Sequence, residues 1–377
     1  MKHGSFRKYF RSILVGILVA VLALVILGSE FFLFLTTSAE KASPEARNIR
    51  LREYPPASIS YVIPSDGFMR KTDGLAQREF RLEADRDGYI FPSRIHERSD
   101  VTILFLGGST TECFFVEEKN RFPYLVGRLL GKDGMKVNSF NSGVSGNHSM
   151  HSIDILLNKG LALRPDVAIM MHNINDLNLL LYEKSYWNTN PYRSLLVSSN
   201  ISYQDSAWYH LRSAVRAVIP RVYTRFQAFK EGLRNENAVD EFAHVRGTKL
   251  VVDRQDILEK FRRSLLTFIA VSRSNETVPV LMTQASRLKK DPDRIILSNW
   301  TPEKDFGVTY EEYRDVYEAM NEQIRKVGAS ANVLVIDLAR EVPQESAYMY
   351  DAVHFNDNGS QYVAGLIADR LKSVVLH

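Results

Sequence analysis

The longest apolar stretch of the chain runs from Ile13 to Leu35 and is interrupted only by Gly16, Gly28, Ser29 and Glu30. It is long enough to cross a bilayer as a helix. The segment before it, MKHGSFRKYFR, carries Lys2, Arg7, Lys8 and Arg11, a basic flank expected to stay in the cytoplasm. Glu30 lies near the outer end of the run, where its carboxylate reaches the interface. The pattern therefore predicts a basic tail over 1–11, a transmembrane anchor over 12–37, and everything after it on the far side of the membrane. A cleaved signal peptide is the rival, with small residues for cleavage after Ala39, but the apolar run exceeds the usual core of such a peptide.

Residues 38–98 are mixed in polarity, with the turn-like DRDG at Asp85 to Gly88, and are expected to form a stalk and a peripheral segment of strand and turn pieces. From residue 99 the pattern sharpens. VTILFLG (Val101 to Gly107), DVAIMM (Asp166 to Met171), VPVLMT (Val278 to Thr283) and VLVIDL (Val333 to Leu338) are short and mostly continuous apolar runs, as in strands covered on both faces, and KVNSFN (Lys136 to Asn141) is a further short strand candidate that ends at the turn-rich NSGVSGNHS. Between and beyond them, helical spacing predicts helices over Phe122 to Leu130 with Gly131 as the stop, and over His151 to Leu163, Asp253 to Ser272, Tyr310 to Val327 and Gly359 to Val374. Buried strands alternating with helices predict an α/β fold, a three-layer α/β/α sandwich on a mostly parallel sheet spanning 99–377. A helical insertion with interleaved aromatics and arginines interrupts the alternation over 182–247, and Asn299 to Tyr310 reads as a second loop beside the same cleft.

Composition adds little beyond this. A net charge of +4 over 377 residues, without a dense basic cluster in the body of the chain, gives no reason to propose nucleic acid. The single cysteine, Cys113, rules out an intrachain disulfide and reads as a small buried hydrophobe. His148, His151 and His172 show no metal-ligand spacing and are expected at the surface or in turns. No metal or other cofactor is expected.

The polar clusters follow the strand ends, where open α/β sheets bind ligands. GGSTTE after the first strand lacks the spacing and the lysine of a phosphate-binding loop and also lacks GxGxxG. A serine nucleophile fits better. Ser109 stands at a strand-to-helix turn, and Asp351 and His354 beyond the last strand supply an orienting carboxylate and a base.

In this order the clusters resemble the SGNH (GDSL) hydrolase superfamily, in its membrane-anchored bacterial form. Gly107-Gly108-Ser109 stands for the GDS block, with Gly108 in place of Asp; Gly143 stands in the second block, Asn173-Ile174-Asn175-Asp176 in the third, and Asp351-Ala352-Val353-His354 in the last. The resemblance implies Ser109 as nucleophile, His354 as base, Asp351 as its carboxylate, and an oxyanion hole from Ser109, Gly143 and Asn175. Gly108, Thr110, Asn173 and Asp176 are expected at the pocket, Asp176 holding its loop by hydrogen bonds. It further implies hydrolysis of O-acyl esters on an extracytoplasmic glycan or glycoconjugate, or acyl transfer from the same site. A noncatalytic envelope protein that binds glycan or a partner is the alternative from another class.

Overall fold

The computed structural model describes residues 51–195, 241–300 and 302–375, together with Val21 and Leu24. The expected anchor over 12–37 and most of the insertion over 182–247 lie outside the described residues. Among the described residues no helix is long and apolar enough to cross a membrane. Apart from Val21 and Leu24, the described residues belong to one compact unit, Ile49–Ser199 with Pro220–His377.

Five strands, β3 (Val101–Gly107), β4 (Val137–Asn141), β5 (Val167–Met171), β6 (Val278–Met282) and β7 (Leu334–Ile336), form a sheet in the order β4-β3-β5-β6-β7, parallel throughout. Each run of four or five consecutive apolar residues places alternate side chains on opposite faces. Ile103, Phe105, Ile169, Met171, Val280 and Met282 pack against α2 (Phe122–Leu130) and α7 (Asp357–Val375). Leu104, Leu106, Ala168, Met170 and Leu281 pack against α3 (Ser149–Asn158), α4 (Ile174–Tyr182), α5 (Arg254–Arg273) and α6 (Tyr310–Ala331). These are the two outer layers of a sandwich. Each fully buried aliphatic or aromatic side chain in them contributes about 1.5–3 kcal/mol.

The helix boundaries have local causes. Asp253 caps α5 by accepting from the Asp256 amide. Thr309 and Glu312 form a reciprocal capping box at the start of α6, and Asn332 ends that helix in the left-handed region. α3 begins two residues earlier than expected and stops at Asn158, because Lys159 leaves helical geometry at φ −143° and hands on to a 3-10 turn over Gly160–Leu163. Asn299 to Tyr310 is not simply a loop, since Pro302–Phe306 is helical.

After β3 the chain crosses to β4 on one side and returns to β5 on the other. The crevice beyond the carboxyl ends of β3 and β5 is thus the point where the order of the sheet reverses, the place where such sheets admit ligands.

The segment expected to be peripheral is built into this end. The antiparallel pair β1 (Ile59–Val62) and β2 (Phe80–Glu83) leads to Ile90, whose amide donates to Asn141 O, and Asn138 Oδ1 accepts from the amides of Ile95 and His96. The free edge of β4 is covered.

Candidate active site

At the end of β3 the chain turns into a single helical turn, α1 (Ser109–Glu112), with Gly108 extended at its start (φ −94°, ψ −152°) and Cys113 left-handed at its end (φ 54°). Two glycines are needed there for contact reasons. A Cβ on Gly107 would lie 2.0 Å from Thr111 Oγ1, and one on Gly108 would lie 2.4 Å from Asn175 Nδ2 and 3.0 Å from Asn147 O. The space that an aspartate side chain would need at 108 is occupied by the Asn175 amide.

Ser109 Oγ lies 2.7 Å from His354 Nε2, and His354 Nδ1 lies 2.9 and 2.7 Å from the two oxygens of Asp351. These three residues stand in one hydrogen-bonded line. Asp351 also accepts from the amides of Val353 and His354, which closes the turn DAVH on itself. The Tyr350 ring stacks on the imidazole, 5.6 Å between centroids and 7° from parallel. Burial alone would lower the His354 pKa, but the charge and hydrogen bond of Asp351 outweigh it and the net shift is upward. Burial pushes Asp351 the other way, and His354 with the two amides holds it below the usual carboxylate range.

The DAVH turn is fixed from outside by Arg287, a buried residue just past β6. Its amide donates to Ala352 O, its Nη1 to Met349 O, and its Nη2 to Asp73 and Asp293. Asp73 in turn donates its amide to Tyr350 O. Gln284 links two further blocks, donating to Thr110 Oγ1 and accepting from the Ile174 amide.

Asn175 Nδ2 donates to Asn147 O at 2.8 Å, beside Gly108. The second-block glycine does not fit its expected role. Gly143 N–H donates to Asn141 Oδ1 at 2.9 Å, and a Cβ there would lie 2.3 Å from Glu112 N, so Gly143 lets the loop close on α1 and its amide is already bonded. Gly146, at φ 79°, is the glycine of this loop whose amide makes no hydrogen bond among the described residues. Its carbonyl accepts from Arg52 and Arg193.

Thr110 and Asn173, expected at the pocket, are tied into the packed layers, and Asp176 holds the loops before α3 and after α4 by hydrogen bonds. Thr110 is buried on Gln284. Asn173 donates to Tyr317 O and Asn321 Oδ1 in the α6 layer. Asp176 is buried and accepts from the Ser149 amide, the Ser149 hydroxyl and Tyr186, while burial pushes its pKa up to about 6.

The histidines are not at the surface. His148, His151 and His172 are all buried, and burial lowers each of them, His151 and His172 to about 3. His148 and His151 pack ring to ring at 3.8 Å and reach Arg193 O and Ser194 O, both at 3.1 Å. His172, held neutral, sits 2.6 Å from Ser152 Oγ. Among the described residues no group of His, Cys, Asp and Glu has the arrangement of a metal site. Cys113 is buried, donates to Thr110 O, and has its thiol pushed up to about 12 by burial.

Sequence reasoning passed over Tyr54, Ser145, Arg52, Arg193 and Arg287. Tyr54 and Ser145 hydroxyls both bond the buried Glu112 carboxyl, which burial raises above its usual value. Ser145 lies inside the NSGVSGN cluster and was within reach of the motif; Tyr54 lies in the mixed segment and carried no signal.

No family model matches the chain, and no curated protein matches it. Solved structures similar in fold include a catalytic mutant of an acetylxylan esterase from Geobacillus stearothermophilus, at 13% identity and TM-score 0.42, covering 74% of this chain and 94% of that one. A lipase/acylhydrolase from Enterococcus faecalis aligns at 16% identity and TM-score 0.39, covering 73% and 96%. An acetyl xylan esterase aligns at 16% and 0.40, covering 73% and 100%. At such values the assignment of activity is left to the chain's own residues.

Proposed function

We propose that the chain is a serine-dependent ester hydrolase of the SGNH type, acting on O-acyl groups of an extracytoplasmic glycan or glycoconjugate. The observation that carries the proposal is the Ser109–His354–Asp351 line, at 2.7 Å for the first bond and 2.7 Å for the shorter of the second pair. Ser109 Oγ attacks the ester carbonyl carbon while His354 Nε2 takes its proton. Asp351 holds the tautomer and stabilises the imidazolium. The carbonyl oxygen becomes an oxyanion, held by the amides of Ser109 and Gly146 and by Asn175 Nδ2. Collapse expels the alcohol with the His354 proton. Water, deprotonated by the same imidazole, then releases the acyl group and restores Ser109.

The glycan assignment draws on the apolar run Ile13 to Leu35, which in this proposal anchors the chain in the cytoplasmic membrane with the site outside, and on Trp187 and Tyr192, which expose 72% and 43% of their surface in the segment after α4. Exposed rings of this kind offer a face for a sugar. Release of the full chain from membranes by an alkaline wash would count against the anchor.

The decisive experiment is labelling with a fluorophosphonate probe, with acyl release from O-acetylated polysaccharide measured in parallel. The wild type is expected to label and to release acid, and Ser109→Ala to lose both, by roughly a thousandfold or more in turnover. Labelling that survives Ser109→Ala overturns the nucleophile. Product that appears only when a glycan acceptor is added reassigns the same site to acyl transfer.

A further inference from the structure

Asn175 is the one proposed oxyanion donor that comes from a side chain, so its amide must be turned the right way. On one side it meets Asn147 O, which only accepts. On the other, Asn175 Oδ1 lies 3.3 Å from Arg193 Nη1, which only donates. A flipped amide would set NH2 against the guanidinium and oxygen against a carbonyl. Arg193 is itself fixed. It exposes 8% of its surface; its Nε and Nη2 lie 2.6 and 2.5 Å from Glu241 Oε2; its Nη1 lies 2.5 Å from Gly146 O; and its own carbonyl lies 3.1 Å from His148 Nε2. Gly146 makes room for it, since a Cβ there would lie 3.0 Å from Arg193 Nη1.

We infer that Arg193 is a positioning residue for the oxyanion hole: its guanidinium holds the Asn175 amide with Nδ2 toward the space beside Gly108 and pins the Gly146 loop that carries the second donor. The guanidinium charge facing Oδ1 also polarises the amide and strengthens its N–H as a donor when the oxyanion forms. The inference rests on the serine-esterase reading above.

The test is a double-mutant cycle on the full chain with wild type, Arg193→Gln, Asn175→Ala and the double variant, and with Arg193→Lys beside them. Turnover of p-nitrophenyl acetate, the rate of fluorophosphonate labelling and the melting temperature are measured for each. Arg193→Gln is expected to lower kcat roughly tenfold to a hundredfold with KM held within about twofold. In the Asn175→Ala background the same change is expected to cost several-fold less, because the amide it positions is gone and only the Gly146 loop is left for it to hold. Arg193→Lys keeps the charge opposite Glu241 but not the planar fork, and is expected to fall between, at a wild-type melting temperature. An equal loss in both backgrounds, or a wild-type kcat in Arg193→Gln or Arg193→Lys, overturns the inference while leaving the nucleophile standing. A wild type that neither labels nor turns over sinks the serine reading, and this one with it.

Discussion

Gly108 occupies a position where only hydrogen fits without moving the Asn175 amide. The nearest obstacle to a side chain is the Asn175 amide, the end of a short side chain that can be pushed aside. Gly108→Ala is therefore expected to damage the reaction more than the fold: kcat should fall roughly a hundredfold, as for loss of an oxyanion donor, with little change in melting temperature. A fully active Gly108→Ala would show that Asn175 is not needed where it stands. His354 gives a second prediction at this scale. It must be neutral to accept the Ser109 proton, and Asp351 raises its pKa above the ordinary value of 6.5. The kcat/KM profile should thus climb with pH through an inflection above 6.5. An inflection below that value contradicts the ion-pair geometry.

At the scale of elements, the packing of α3 and α4 buries three neutral histidines and one aspartate. The histidines are lowered in the fold, so as pH falls below about 6.5 the unfolded chain gains protons that the folded chain refuses, and stability is lost. Asp176 works in the opposite sense, because its pKa is about 6 in the fold against 3.8 outside it, and it favours the fold as pH falls through that window. Glu112, whose carboxyl burial also raises, works in the same sense as Asp176, and the three histidines outnumber these two acids. The urea midpoint should therefore drop between pH 6 and pH 5; a flat response contradicts the histidines outweighing the two buried acids. The strands were readable from sequence because a strand covered on both faces needs consecutive apolar residues, and Val101 to Gly107 or Val167 to Met171 have few other uses. The histidines were not. NHSMHS is polar and turn-like, and its burial comes from Arg193 and Ser194, more than 40 residues away, whose carbonyls accept from those rings. Gly143 and Gly146 look equivalent in the motif, but Gly143 gives its amide to Asn141, whereas Gly146 takes a positive φ and lends its carbonyl to the distant Arg52 and Arg193.

For the whole described unit, the active end of the sheet is completed by a segment that precedes the sheet in sequence. Tyr54 bonds Glu112 on α1, Asp73 bonds both Arg287 and Tyr350 O, and Ile90 covers the β4 edge. A chain starting at residue 49 should fold and turn over acetyl esters like the full chain, whereas one starting at 99 should lose cooperative unfolding and activity together. Equal activity in the two would mean that this segment is dispensable packing. The sandwich was legible from alternating strands and helices, but the contribution of residues 51–98 was not, because hydrogen bonds from single residues such as Tyr54 and Asp73 leave no periodic trace. Cys113 has a practical consequence. The chain has one thiol, and burial with its pKa near 12 keeps that thiol out of alkylation chemistry at neutral pH. A cysteine introduced at an exposed position such as Trp187 would then be the sole target for a spin label or fluorophore. A pair of such cysteines would report distances across the crevice with Cys113 left in place.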